Sequence, residues 1–251
     1  MTDNPILPLR FVTRPDGLRL ACRHQPGTGP TIVFLPGYMS DMLGSKAQAL
    51  ADWAARTGQA LLRLDYAGCG ESDGAFEDGT LASWRDDARL VIEALVPDGP
   101  LVLVGSSMGG WLALLLARDL GARVAGVVGI AAAPDFTDWG FDAAQKATML
   151  REGRLVEPTP YGDQPYVTTF AFWESGEALR VLEAPIAIAC PVRLFQGQAD
   201  PDVPWQTALR IADRLRSADV QTILVKDGDH RLSRPQDIAL LIGTVASLTE
   251  P

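Results

Sequence analysis

Apolar positions along the chain recur with two spacings, and the two spacings take turns. Near the start, Phe11–Thr13 and Leu18–His24 read as short strands, with Pro15-Asp16-Gly17 turning between them. TIVFLPG (31–37) is apolar and β-branched up to Pro36-Gly37, the pattern of a strand buried on both faces. The spacing then becomes helical. Leu43, Ala47, Leu50 and Ala54 fall on one face of a helix predicted from about Asp41 to Thr57, with Gly58 as its stop. ALLRLDY (60–66) is the next strand. Thr80 or Ser83 caps a helix that turns Leu81, Trp84, Ala88, Val91, Ile92 and Leu95 inward. Leu101–Gly105 is a strand, Met108–Leu120 a helix apolar nearly all round, and Val124–Ala132 a strand of small and β-branched residues. The series continues with the strand Val192–Gln196, a helix from Pro204 to about Leu215 and the strand Gln221–Val225. It ends in a helix capped by Ser233, with Ile238, Leu241, Ile242, Val245 and Leu248 on its core side.

Strand-helix alternation predicts an α/β fold: a mostly parallel central sheet with helices on both faces. Ligands in such sheets bind beyond the carboxyl ends of the strands. Residues 134–189 break the rhythm, being too long for one crossover. They carry Trp139, Phe141, Met149, Phe170, Phe172 and Trp173, and read as a helical lid inserted into a single domain spanning 1–251.

Composition narrows the function classes. With 251 residues and 47% hydrophobic content, the chain can bury a core without staples. The net charge is −9, from 31 acidic and 22 basic residues, and no basic stripe offers a nucleic-acid or anionic-membrane surface. Three scattered cysteines form no disulfide framework and suit a reducing compartment. Two histidines leave no Cys/His metal cluster. MTDNPILPLR does not read as a signal or transit peptide, and no long apolar run spans a membrane, so the expected location is cytoplasmic.

Within this frame, Gly105-Ser106-Ser107-Met108-Gly109 matches G-x-S-x-G around Ser107, between a strand and a helix. Glycines two before and two after a sharply turned serine let the neighbouring backbone pass, and the hydroxyl projects at the sheet edge near the positive helix end. Ser106 fails the pattern, since Val104 and Met108 flank it.

A serine hydroxyl needs a base, and the base needs an acid. His230, in KDGDHRLS, follows the strand ending near Val225 and lies at the correct edge; His24 sits in the early hairpin and reads as a packing histidine. Asp200, just past VRLFQ, is the preferred acid, with Asp202 and Asp135 in reserve; Asp229 adjoins His230 too closely in sequence to reach its ring side-on. The oxyanion hole is expected from the backbone N–H groups of Met108 and of Tyr38, whose side chain either shapes the acyl pocket or packs its loop. Other motifs fail. GCGESDG (68–74) has Asp73 where a dinucleotide loop needs glycine, Asp200-Pro201-Asp202 is no calcium loop, and Cys69 has no histidine near it.

FLPGYMSDM, LDYAGCGESDG, GSSMGGW, CPVRLFQGQADPDVPW and GDHR, in that order over about 34–231, resemble the α/β-hydrolase superfamily. More closely, they resemble the family of the mitochondrial palmitoyl-protein thioesterase that also cleaves mycophenolic acid acyl-glucuronide. The resemblance implies the α/β-hydrolase fold and cofactor-free hydrolysis of acyl esters or thioesters. It places nucleophile, acid and base on Ser107, Asp200 and His230, and the oxyanion loop on Tyr38. The implied partner is a small-molecule or acyl-protein substrate. Two other readings keep the fold: a C–C bond hydrolase or cofactor-free haloperoxidase, and a non-catalytic ligand receptor, against which the intact Ser107, Asp200 and His230 set argues.

Overall fold

The computed structural model describes residues 7–158 and 165–249. Among the described residues ten strands and eight α-helices follow one another: β1 (Arg10–Thr13), β2 (Arg19–Gln25), β3 (Thr28–Leu35), α1 (Ser45–Thr57), β4 (Gln59–Leu64), α2 (Leu81–Leu95), β5 (Leu101–Ser106), α3 (Met108–Leu120), β6 (Val124–Ile130), α4 (Phe136–Trp139), α5 (Ala143–Glu152), β7 (Arg154–Glu157), β8 (Tyr166–Thr169), α6 (Phe170–Ala178), β9 (Val192–Gly197), α7 (Gln206–Arg214), β10 (Val220–Val225) and α8 (Pro235–Thr249). Eight strands form one sheet in the order β1-β2-β4-β3-β5-β6-β9-β10. β2 runs antiparallel to β1 and β4, and the pairs from β4 through β10 are parallel.

Parallel strands are covered on both faces, so alternate side chains enter two different cores. β5 illustrates this. Leu101 and Leu103 join a core with Trp84 of α2, Trp111 of α3 and Ile211 of α7; Val102 and Val104 join another with Leu50 of α1 and Val245 of α8. α3 is buried from Met108 to Ala117, as its all-round apolar sequence requires. Thr80 caps α2 in a reciprocal box with Ser83, and Gly58 ends α1 in the left-handed conformation.

Several boundaries differ from the sequence reading, three of them for a visible reason. α1 begins at Ser45 rather than Asp41, because the Asp41 carboxylate accepts the Leu43 N–H at 2.7 Å and holds a turn. Leu43, expected on the buried face, is 39% exposed. β6 stops at Ile130, before Ala131 at φ 45°. Ser233 does not cap α8. Its hydroxyl donates to the Arg231 carbonyl at 3.0 Å and meets Ser45 Oγ at 3.1 Å, whereas Asp237 accepts the Arg234 N–H.

The long connection from β6 to β9 is not wholly helical. It holds α4, α5 and α6, but β7 and β8 form an antiparallel hairpin between them. Its base is clasped by Asp135, whose two carboxylate oxygens accept the Val181 and Leu182 N–H groups at 2.8 and 2.9 Å. Phe172 of α6 is buried in the main core, and Trp173 Nε1 donates to the Thr137 carbonyl.

Candidate active site

Ser107 stands at the carboxyl end of β5 and directly before α3, with φ 54° and ψ −120°. L-residues rarely adopt this backbone, and its neighbours hold it there. The Ser107 N–H donates to the Ile130 carbonyl at 2.8 Å, and its carbonyl accepts from Gly110 and Ala133. The flanking glycines are required by space. A Cβ on Gly105 would lie 2.1 Å from the Gly109 carbonyl oxygen, and one on Gly109 would lie 2.1 Å from that of Leu35. Met39, Ala131, Asp135 and Leu232 are the other non-glycine residues with positive φ among the described residues, all in loops at the carboxyl ends of β3, β6 and β10.

The sheet order brings the loops after β5, β9 and β10 to one edge. His230 Nε2 lies 3.1 Å from Ser107 Oγ, and His230 Nδ1 lies 2.9 Å from Asp200 Oδ2. An ionised carboxylate only accepts, so the ring proton sits on Nδ1 and Nε2 is left to accept from the serine hydroxyl. The Asp200 side chain has no exposed surface, against 17% for that of His230. Burial pushes the Asp200 carboxyl up, but the His230 hydrogen bond and charge, with the Val203 and Asp202 N–H groups, hold it below its ordinary value. Its Oδ1 accepts from Asp202 and Val203 at 2.8 and 2.9 Å, and its Oδ2 also accepts from Gln196 Nε2 at 2.9 Å.

Of the other candidates, Asp202 lies at the same corner, with a carboxylate oxygen within 4.8 Å of the Asp200 and His230 atoms, and the rest are engaged elsewhere. Asp135 is the clasp at the base of the insertion, 3% exposed. Asp202 is exposed and gives its N–H, not its carboxylate, to Asp200. The Asp229 carboxylate accepts the Leu232 N–H and shapes the turn. His24 lies on β2 opposite Leu62. Burial pushes the Cys69 thiol up to about 12, so it carries no thiolate near neutrality. Gln196 was missed by sequence reasoning, because an amide inside an apolar strand carries no pattern signal.

Gly37 packs on the nucleophile: a Cβ there would lie 3.3 Å from Ser107 Cβ. The next residue, Tyr38, packs its ring against the insertion. Its hydroxyl donates to the Val167 carbonyl of β8 at 2.8 Å, and its ring meets Phe76, Phe136, Tyr166 and Phe172. Met108 opens α3 with its side chain buried; its N–H belongs to the first turn, which has no intrahelical acceptor.

Ser107 and His230 lie in a cleft of about 780 Å³. One wall is Phe136, Trp139, Phe141, Tyr166 and Thr168 from the connection between β6 and β9; Tyr38, Met39, Lys46 and Arg231 line the rest. The insertion's aromatics are thus divided: Phe172 belongs to the core, while Phe136, Trp139 and Phe141 face the cleft. No helix among the described residues is long and apolar enough to cross a membrane.

Residues 30–155 match the alpha/beta hydrolase fold family. The human mitochondrial palmitoyl-protein thioesterase ABHD10 is 39% identical over 246 residues, which cover 96% of this chain and 80% of that protein. The structure of mouse alpha/beta hydrolase domain-containing protein 10 superposes with a TM-score of 0.88 at 38% identity, covering 96% of this chain and 98% of that one. A protein from Agrobacterium vitis S4 reaches a TM-score of 0.91 at 40% identity, over 98% and 100% of the two chains. Ferulic-acid-bound Est1E from Butyrivibrio proteoclasticus, 19% identical with a TM-score of 0.78 over 95% and 96% of the chains, shares the fold. The mitochondrial name of the curated relatives overturns the expected cytoplasmic location. That expectation leaned on the reading of MTDNPILPLR as neither signal nor transit peptide and on three unpaired thiols, which suit any reducing compartment.

Proposed function

The chain belongs to the α/β-hydrolase family, within the group of the palmitoyl-protein thioesterase ABHD10, and on that premise we propose that this hydrolase cleaves acyl thioesters and esters through Ser107, His230 and Asp200. The observation that carries the reading is the unbroken relay from Ser107 Oγ to His230 Nε2 at 3.1 Å and from His230 Nδ1 to Asp200 at 2.9 Å.

His230 Nε2 takes the hydroxyl proton as Ser107 Oγ attacks the acyl carbonyl carbon. Negative charge gathers on the carbonyl oxygen, and the N–H groups of Tyr38 and Met108 stabilise it. Asp200, kept ionised, stabilises the imidazolium without taking its proton. The tetrahedral adduct collapses, His230 gives its proton to the departing thiolate or alkoxide, and the acyl group stays on Ser107. Water then repeats the sequence: His230 removes its proton as its oxygen bonds to the acyl carbon, the carbon–Oγ bond breaks, His230 returns the proton to Ser107 Oγ and the free acid leaves. The insertion, about 134–189, acts as the lid, and its wall of Phe136, Trp139, Phe141 and Tyr166 favours a long apolar acyl group. A palmitoyl chain, named for the relatives, fits that chemistry.

The test is turnover of palmitoyl and short-chain acyl thioesters beside the matching p-nitrophenyl esters, with fluorophosphonate labelling. Labelling at Ser107, and loss of both label and turnover in a folded Ser107→Ala protein, is the expected result. A Ser107→Ala protein with undiminished turnover overturns the reading.

A further inference from the structure

Gln196 occupies an odd place in β9. Val192 and Leu194, at the same strand parity, enter the apolar core with α3 and α7. Gln196 is the next residue on that face, is 0% exposed and is polar. Its amide nitrogen donates to Asp200 Oδ2 at 2.9 Å and lies 3.2 Å from the Val203 carbonyl oxygen and 3.4 Å from that of Gly197. Its Oε1 is buried and meets no donor.

That orphan oxygen is informative. Turning the amide over would set Oε1 against the Asp200 carboxylate and the two carbonyls, three acceptors facing an acceptor. The amide is therefore locked with its nitrogen toward Asp200, and an unsatisfied buried acceptor is tolerated to keep it there. A packing role would be met by an apolar residue such as Leu194 two positions earlier, with no orphan. Asp200 itself stands on a loop. Two backbone N–H groups of that loop hold Oδ1, and among the described residues the only bond tying Oδ2 to the sheet is the one from Gln196.

We propose that Gln196 is a positioning residue for the hydrolysis, fixing the Asp200 oxygen that receives His230 Nδ1–H and limiting the negative charge that oxygen presents to the imidazole. The inference rests on the reading of Asp200 as the acid. Losing that donor has two effects: the Oδ2 side of the carboxylate loses its anchor to the sheet, and the charge on Oδ2 is less dispersed. A more negative partner stabilises the imidazolium, so the base is freed of its proton only at higher pH. Other charged groups at this corner are Asp202, with a carboxylate oxygen within 4.8 Å of the Asp200 and His230 atoms, and Asp229, Arg231 and Lys46, which act on one another across the His230 loop. All four stay unchanged in the variants below.

The experiment compares kcat and KM for p-nitrophenyl butyrate, as a function of pH, in wild type, Gln196→Met and Gln196→Glu. Gln196→Met keeps the length and loses the donor; it is expected to lower kcat about tenfold with KM within about twofold. The acidic limb of kcat/KM is expected to move upward in Gln196→Met and by about one pH unit in Gln196→Glu, which adds a second carboxylate. Limbs that superimpose on wild type in the folded Met variant overturn the proposal, whether or not the Glu variant folds. Asp200→Asn separates the two failures: undiminished kcat there overturns the acid assignment as well, whereas collapsed kcat with unmoved limbs overturns the role of Gln196 alone.

Discussion

The Tyr38 hydroxyl donates to the Val167 carbonyl at 2.8 Å, joining the loop after β3 to the hairpin of the insertion across 129 residues of sequence. Burial pushes the phenol well above its ordinary range, so it remains a donor at every working pH. Tyr38→Phe keeps the ring contacts and removes a bond worth about 1 kcal/mol. Turnover of a short ester should stay within about twofold of wild type, since the N–H of residue 38 is retained, while KM for a long-chain thioester rises. Parallel kinetics on the two substrates check this; equal changes in both would contradict it.

Gly105→Ala and Gly109→Ala should be far more damaging than their size suggests. Each added methyl would sit 2.1 Å from a backbone oxygen, and no rotamer relieves a backbone clash. A loss of about 3 kcal/mol or more, at or beyond the usual cost of overpacking, is expected in urea unfolding, with activity lost in whatever folds.

Asp135→Asn should separate structure from chemistry. The amide offers one acceptor oxygen where the carboxylate serves both Val181 and Leu182, leaving one N–H short by about 1–3 kcal/mol. Stability should fall by that amount, while kcat of the folded protein is kept. Loss of kcat with unchanged stability would make Asp135 part of the chemistry.

Asp65 gives a pH dependence with a definite sign. Burial pushes its carboxyl up from 3.8 to about 6, despite the N–H groups of Glu71 and Met42 that bind it. The folded protein therefore holds this proton more tightly than the unfolded chain. The associated stability is fully present below pH 3.8 and is lost as pH rises through about 6, roughly 3 kcal/mol in all. The stability of Asp65→Asn relative to wild type should thus climb between pH 4 and 7. Urea midpoints at those two values measure it, and a flat difference would refute it.

Much of the frame could be read from the chain itself. The span of α3, Met108–Leu120, follows from its apolar run, and the turn at Ser107 follows from two glycines that leave no alternative in space. The strand ends carrying Asp200 and His230 follow from the alternation. Leu43 misled because a helical spacing persists through a turn that Asp41 stabilises by its own hydrogen bond. The hairpin of β7 and β8 escaped because RLVE and YVTT are four residues each, too short for a period to declare itself. Tyr38 lies in the loop after β3, as its place in the chain predicts, but the direction of its ring depends on a residue of the insertion that no local pattern encodes.

The connection between β6 and β9 has one more consequence. These strands are neighbours in the sheet, with Val127 opposite Val192, so the chain departs from one rail and rejoins the next. Everything between is a detour, closed at its root by the Asp135 clasp. Ser107, Asp200 and His230 all lie off that detour. Substitutions confined to the detour can therefore reshape the cleft wall of Phe136, Trp139 and Phe141 while the bonded set of Ser107, His230 and Asp200 keeps its supports in the sheet.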